Sequence, residues 1–452
     1  MSHYYVASAK KATAVQHAVS ASLTGPEALQ LVIGKTTRIE ILTVSAEGLK
    51  PLAEIPIYGK IATLDVFRPK GEDVDSLIIL TTKYDLAIVS WDSEKGELRT
   101  RASGNVADRV GRPSETGIIS CVHNSGIMVF RLYDGSVKVI EWEEGKDLKA
   151  FAIRLEENNV YDMAFLATLR PGDVPRLCYI YEDTLGRHLK TVELMMNDRD
   201  LRHIHKQSSI ESEASWVVAV PCPAGGCIVV GGETIVYTRE DNTYCSASPP
   251  NIDRCPFTSI APVDNDGSRF LLGDLEGNLF MLILDINHEK GLVKEIKLEL
   301  LGETSIADCL VYLDNGVVFV GSRLGDSQLV LLSPHSTAAN SYISVLETFT
   351  NIGPIRDMTV IESDGLSHIV TCSGGFKESS LRIIRNGIGI EECASVDLAG
   401  VKGLFPLRLD DSPWDNYLVV SLSHETHILR MAGEDLEDIQ LAGLETEEAT
   451  LW

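Results

Sequence analysis

The chain has 452 residues, 44% of them hydrophobic, and its 40 Lys plus Arg stand against 65 Asp plus Glu, a formal charge of -25. A chain this long and this apolar can bury several cores, which excludes a disordered protein, and a surface this acidic repels phosphate backbones, which excludes tight direct binding of nucleic acid as its main activity. The nine cysteines are scattered without a CxxC pair, no run of about eighteen apolar residues is present, and Met1-Ser2-His3-Tyr4-Tyr5 lacks the basic start and apolar core of a leader, so a reduced, intracellular, membrane-free setting is expected.

Along the chain, nine short apolar runs each meet a tight polar turn and are answered by a second apolar run. The turn markers are Gly34, Thr82, Asp134, Asp183, Gly232, Asp274, Ser322, Ser373 and Ser421, at intervals of 48, 52, 49, 49, 42, 48, 51 and 48 residues. A period near fifty built from strand pairs predicts an all-β fold of the β-propeller class, one four-stranded blade per repeat. The second repeat carries Trp91-Asp92 at the end of the strand after its turn, where a WD40 dipeptide belongs. Trp414-Asp415 falls before its blade's second strand, and the other repeats lack the dipeptide, so the fold is WD40-like in shape but not in signature. Arg99, Arg101, Arg109 and Arg112 lie close together; a basic patch and a solvated protein-contact loop are both open there, the second being preferred.

Further on, Tyr133-Asp134-Gly135 and Asp274-Leu275-Glu276-Gly277 supply turn chemistry, and Ser136-Val137-Lys138-Val139 alternates as a half-buried strand does. In the sixth repeat, strands are expected over 257–263, 269–273, 278–284 and 292–300. His203-Ile204-His205 has the i, i+2 spacing of a metal edge, but no third ligand is phased with it and an exposed loop is expected. Cys222 and Cys227 flank Pro223 and a glycine pair without a second pair to complete a zinc site. Gly387-Ile388-Gly389 is half of a dinucleotide fingerprint with no helical pattern after it, so a strand-edge turn is expected. Neither a GxSxG elbow nor a Walker loop occurs, and no catalytic residue, cofactor or metal is expected. Residues 431–452 hold seven acids and no Lys or Arg.

Five stretches carry a resemblance: Phe67-Arg68-Pro69-Lys70-Gly71, Gly111-Arg112-Pro113-Ser114-Glu115-Thr116-Gly117, Leu301-Gly302-Glu303-Thr304-Ser305-Ile306-Ala307, the run Gly316 to Leu329 with its Arg323-Leu324-Gly325-Asp326-Ser327-Gln328 core, and Leu381 to Gly389 with Ile384-Arg385-Asn386-Gly387-Ile388-Gly389. They resemble the N-terminal part of the DNA damage-binding protein 1 family, large adaptor subunits of cullin-4 ubiquitin ligases, from Met1 to about Ile439. Splicing and polyadenylation factors of the same propeller family are the alternative. Residues 445–452 are not expected to continue the family sequence.

The resemblance implies a non-enzymatic scaffold of nucleus and cytoplasm, acting in protein ubiquitination and DNA repair. It also implies a division of the chain: 1–14 an N-terminal strand, 15–354 a seven-bladed first propeller, 355–400 an eighth repeat crossing to another propeller, and 401–452 the start of an incomplete second propeller. An eight-bladed ring is the alternative reading of the repeat count. Propeller-type substrate receptors are the implied partners, with nucleic acid reached mainly through them and cullin-4 bound only by a complete second propeller. Carried over by motif, Leu324 and Pro354 are implied apolar anchors for a receptor, with Arg112, Tyr312 and Arg323 around them. Two plainer roles compete: Arg323 pairing with Asp326 across its own turn, and Tyr312 as a core strand residue.

Overall fold

Aliphatic runs such as Leu31-Val32-Ile33 and Leu77-Ile78-Ile79-Leu80 have no polar face, and in a computed structural model of the chain they form second strands buried from both sides. Fourth strands such as Gly48–Pro56 and Glu97–Asn105 alternate and keep one face in water. The structure describes residues 10–45, 48–142, 148–168, 170, 172–241, 243–250, 254, 256–287, 291–336, 341–363, 366–385, 398–408, 415–432, 435–441 and 443–450. Among them the only helical element is the single turn Phe376–Glu378.

Among the described residues the strands make nine sheets, over residues 17–56, 61–105, 119–154, 159–207, 216–247, 257–303, 309–349, 355–384 and 403–438, here numbered 1 to 9 in chain order. Eight have four strands in sequence order and the eighth has three. Each expected repeat has its own sheet. In the sixth the strands are Phe257–Pro262, Arg269–Asp274, Asn278–Asn287 and Leu292–Glu303, close to the expected runs. Trp91-Asp92 closes the strand Asp85–Asp92. Gly387-Ile388-Gly389 and Trp414 lie outside the described residues.

Neighbouring sheets share cores. The first strand His17–Ala21 lies against Ile61–Phe67, which lies against Ile119–Val122; Asn159–Phe165 and Trp216–Ala219 follow in turn. Phe257–Pro262 lies against Cys309–Tyr312, which in turn lies against His17–Ala21. Ile228, Tyr237, Phe270 and Phe280 join sheets 5 and 6 in one cluster, and Leu31, Ile33, Val311 and Phe319 join sheets 1 and 7 in another. Truncating any of the fully buried Phe130, Phe270, Phe280 or Phe319 to Ala costs about 3–5 kcal/mol, because the two sheets that clasp it cannot collapse into the void. The result is an all-β, multi-bladed propeller-type domain.

Because the strands of a sheet run antiparallel in order, its second-to-third turn and its link to the next sheet emerge at the same end. Hydrogen bonds confirm this linker end: Ile57 N–H donates to the Thr37 carbonyl at 2.8 Å, Asp134 N–H to Arg112 O at 3.0 Å and Thr304 N–H to Gly277 O at 2.8 Å. The chain divides into two compact units, Met1–Val360 with Ile369–Ile383, and Ile361–His368 with Ile384–Trp452. In the first, Met358, Val360, Leu381 and Ile383 of sheet 8 are exposed. In the second, sheet 9 packs Val420, Leu422 and Leu429 into a small cluster. The stretch 446–450 returns along it, the Thr426 amide donating to Thr446 O at 3.0 Å and the Ser421 hydroxyl to Thr450 O at 2.6 Å.

One local expectation is corrected. His203 and His205 sit in the outer strand Asp200–Gln207, not in a loop, because Val192 and Thr191 of the third strand pair with them.

Candidate functional site

Sheet 7 turns tightly after Val317–Gly321, where Ser322 Oγ accepts the Gly325 amide at 2.9 Å and the Ser322 amide donates to Ser327 Oγ at 3.0 Å. This turn carries Arg323 and Leu324. The Arg323 amide donates to Asp308 Oδ2 at 2.7 Å, and its guanidinium stands 3.4 Å from Asp308 Oδ1. Burial pushes the Asp308 carboxyl up, and those two contacts with Arg323 pull it back down. The pairing of Arg323 with Asp326 is therefore corrected: Asp326 is taken by Arg382, whose Nη2 lies 2.9 Å from both carboxylate oxygens, and by the Asn351 amide at 2.7 Å.

Asn351 is the mount of the site. Only 2% exposed, it donates through Nδ2 to the carbonyls of Arg323 and Gly325 at 3.0 Å and of Gly353 at 2.9 Å. Its Oδ1 accepts the Thr13 hydroxyl at 2.8 Å and the Gly353 amide at 2.9 Å. The turn of sheet 7, the link to sheet 8 and the segment before sheet 1 are so fixed to one buried side chain, which couples them far more tightly than loop backbone alone.

Pro354, after a cis peptide bond, is exposed, and its carbonyl accepts the Gly374 amide at 3.0 Å. The next amide, Gly375, donates to Leu324 O at 3.3 Å, so two consecutive glycines hold Leu324 and Pro354 side by side. Leu324 is half-buried against Gly375, where an added Cβ would lie 3.3 Å from its Cδ2. Phe376 follows, 68% exposed and at φ 53°, in the left-handed region that a bulky residue adopts only when its surroundings impose it. Phe376, Asn351 and Arg382 escaped the sequence reading; Gly374-Gly375 followed by an aromatic residue, directly after the marker Ser373, was the signal for the first.

Two of the expected site residues lie elsewhere. Tyr312 ends the first strand of sheet 7, at the opposite end from Leu324, since the pairing Cys309 with Gly321 and Tyr312 with Val318 leaves the length of that strand between them. It packs partly against the core of sheets 6 and 7, and its hydroxyl accepts the Gly316 amide at 3.0 Å. Arg112 is at the linker end, but of sheet 3, where it pairs with Glu115 and stands 3.9 Å from Asp134. Its loop rests on Arg131, fully buried, which donates to Ser114, to Thr116 at 2.6 Å and to Val160 O at 3.1 Å, and pairs with Asp134 at 2.6 Å.

Titratable groups on the first strands stitch sheets together. The Ser120 hydroxyl donates to Asp65 Oδ2 at 2.6 Å and the Val217 amide to Asp162 Oδ2 at 2.8 Å; burial raises both carboxyls, Asp162 to about 7. Burial lowers His17 to about 4. Among the described residues no group of three His, Cys, Asp or Glu could hold a metal ion. Cys222 donates to Thr168 O at 3.6 Å, and Cys227 touches Cys178 at 3.9 Å beside a cavity of about 550 Å³ between sheets 4 and 5.

A family model described as RSE1/DDB1/CPSF1 first beta-propeller matches residues 14–350, and one described as RSE1/DDB1/CPSF1 second beta-propeller matches residues 390–452. Proteins called DNA damage-binding protein 1 are similar over 99% of the chain: 44% identical in Caenorhabditis elegans over 39% of that protein, and 45% identical in Oryza sativa subsp. japonica over 41%. DNA damage-binding protein 1a of Arabidopsis thaliana is 44% identical, over 41% of its length. The chain thus spans about two-fifths of the length of these relatives. The second of these family models runs through residues 445–452, correcting the expectation that those residues depart from the family; within them Thr446 and Thr450 hydrogen-bond to sheet 9.

Proposed function

The chain belongs to the RSE1/DDB1/CPSF1 propeller family, within it to the DNA damage-binding protein 1 proteins, and from that premise we propose that it is the receptor-docking part of a non-enzymatic cullin-4 ubiquitin-ligase adaptor. The observation that carries the proposal is the linker end of sheet 7. There Leu324, Pro354 and Phe376 stand together as apolar groups on a mount fixed by Asn351, an arrangement suited to the apolar side of a partner helix. Arg323 borders the patch with its guanidinium half exposed, a rim position from which it can meet a partner carboxylate.

Sheets 1 to 7 are read as one closed seven-bladed ring over 15–354, in support of which sheets 1 and 7 share a core. Sheet 8 and the repeat over 401–452 are read as parts of other rings, the exposed apolar residues of sheet 8 being what such an orphan would present. Arg112 and Tyr312, at other places on the domain, are assigned to secondary receptor contacts. Nucleic acid is reached through receptors, and the protein works in nucleus and cytoplasm. The relatives' names favour the adaptor over a splicing or polyadenylation scaffold.

Leu324→Asp tests the reading. A charge set into a desolvated contact weakens capture of a purified propeller-type receptor at least about a hundredfold, with thermal melting as the control for folding. Undiminished capture, or strong capture of cullin-4 by the unaltered chain, refutes it.

A further inference from the structure

We propose that the linker end of sheets 2 and 3 is a docking surface for an acidic segment of a partner protein that also carries an aromatic or aliphatic side chain. Three stretches compose it: the link into sheet 2 at 57–60, the turn of sheet 2 at 82–84, and the link into sheet 3 at 106–111. They are tied to one another. The Thr82 amide donates to Lys60 O at 2.8 Å, Asn105 Nδ2 to Lys83 O at 3.0 Å, and the Val106 amide to Tyr84 O at 2.9 Å. The Tyr84 ring stands 5.3 Å from that of Tyr133, and Gly111 passes so close under Tyr133 that a Cβ there would meet its ring at 2.5 Å. Tyr84 itself holds φ 67°, a left-handed conformation sustained by this packing.

On this fixed frame stand Tyr58, 99% exposed, and Val110, 92% exposed. Around them are the exposed Lys60, Lys83 and Arg109, none of which has an ion-pair partner among the described residues. Of the acids at this end, Asp108 is paired with Lys138, and the neighbouring Asp85, which accepts the neutral Asn105 Nδ2 at 2.7 Å and keeps its charge, offsets one of the three cations. In a chain of charge -25, three free cations around two protruding apolar groups run against the prevailing sign.

Charge decides the occupant. A duplex or long single strand brings a dense line of phosphates into the field of the whole molecule, and three cations neutralise too few of them. A short acidic peptide brings few charges, and its apolar side chain has Tyr58 and Val110 to cover.

The test uses the full chain and a fluorescent short peptide alternating Asp and Gly around a central Phe, with an Asn-for-Asp counterpart and a single-stranded oligothymidylate beside it. Anisotropy is expected to show the acidic peptide bound, more weakly as salt rises, and the Asn peptide at least about tenfold weaker. Combined Lys60→Glu, Lys83→Glu and Arg109→Glu weakens the acidic peptide at least about tenfold, with an unchanged melting temperature because these side chains hold no partner in the fold. Leu324→Asp leaves this binding intact, which separates the surface from the receptor-docking face. The proposal is overturned if the acidic peptide does not bind, if the two peptides bind alike, if charge reversal changes nothing, or if the oligothymidylate binds more tightly than the acidic peptide.

Discussion

Asp162→Asn is expected to stabilise the domain in alkaline solution and to leave it unchanged in acid. Asp162 sits in the first strand of sheet 4, where Oδ2 accepts the Val217 amide of sheet 5 at 2.8 Å. Burial raises its carboxyl from 3.8 to about 7, against the opposing pull of the Val217 and Met163 amides. The native protein therefore keeps a proton that the unfolded chain has already lost between these two values. Stability from this group is complete below the unfolded value and declines as pH rises through about 7. The full displacement corresponds to about 4 kcal/mol, and because the residue keeps partial contact with water, about 2 kcal/mol is the working figure. Asparagine preserves an acceptor for Val217 but cannot ionise. Urea titrations of both proteins from acid to alkaline pH, followed through tryptophan fluorescence, read the difference, and hydrogen exchange of the Val217 amide localises it. Parallel pH profiles for the two proteins, or a variant less stable than the parent at alkaline pH, would refute the reasoning.

Asn351→Ala removes the donor shared by the Arg323, Gly325 and Gly353 carbonyls, and a urea titration should register a loss of about 3 kcal/mol together with weaker receptor capture. Phe376→Ser alters an exposed side chain, so stability should stay within about 0.5 kcal/mol while receptor affinity falls roughly tenfold; an unchanged affinity removes Phe376 from the docking face. Electrophoretic shift assays at physiological salt should find damaged and intact DNA duplexes bound alike and more weakly than about micromolar, and submicromolar lesion-selective binding contradicts the charge argument.

Much of the fold was legible in the sequence because its signals are local. Strand period, Gly and Asp turns and the fifty-residue spacing each depend on residues a few positions apart, and each expected repeat has its sheet. The separation of Tyr312 from Leu324 was not read from the sequence, which set Tyr312 around the anchors; the pairing of the first two strands of sheet 7 puts the two residues at opposite ends. The resemblance of the Arg323 to Gln328 run marked the right turn of sheet 7 but not what holds it.

What only the tertiary structure decided is partnership across the chain. Asp308, not the nearer Asp326, receives Arg323, because Asp326 is already held by Arg382 and by the Asn351 amide. Asn351 reads as an ordinary polar loop residue, yet it clamps a segment 338 residues away at Thr13. No periodicity announces such a bond, since its geometry exists only once neighbouring sheets have stacked. The sequence by itself determined which residues form strands, where they turn and the acidic character of the surface. The stacking of sheets determined which buried carboxylates stay protonated, which loop groups stand together and which cations remain free, because desolvation and Coulomb interaction depend on distance in space and not on position along the chain.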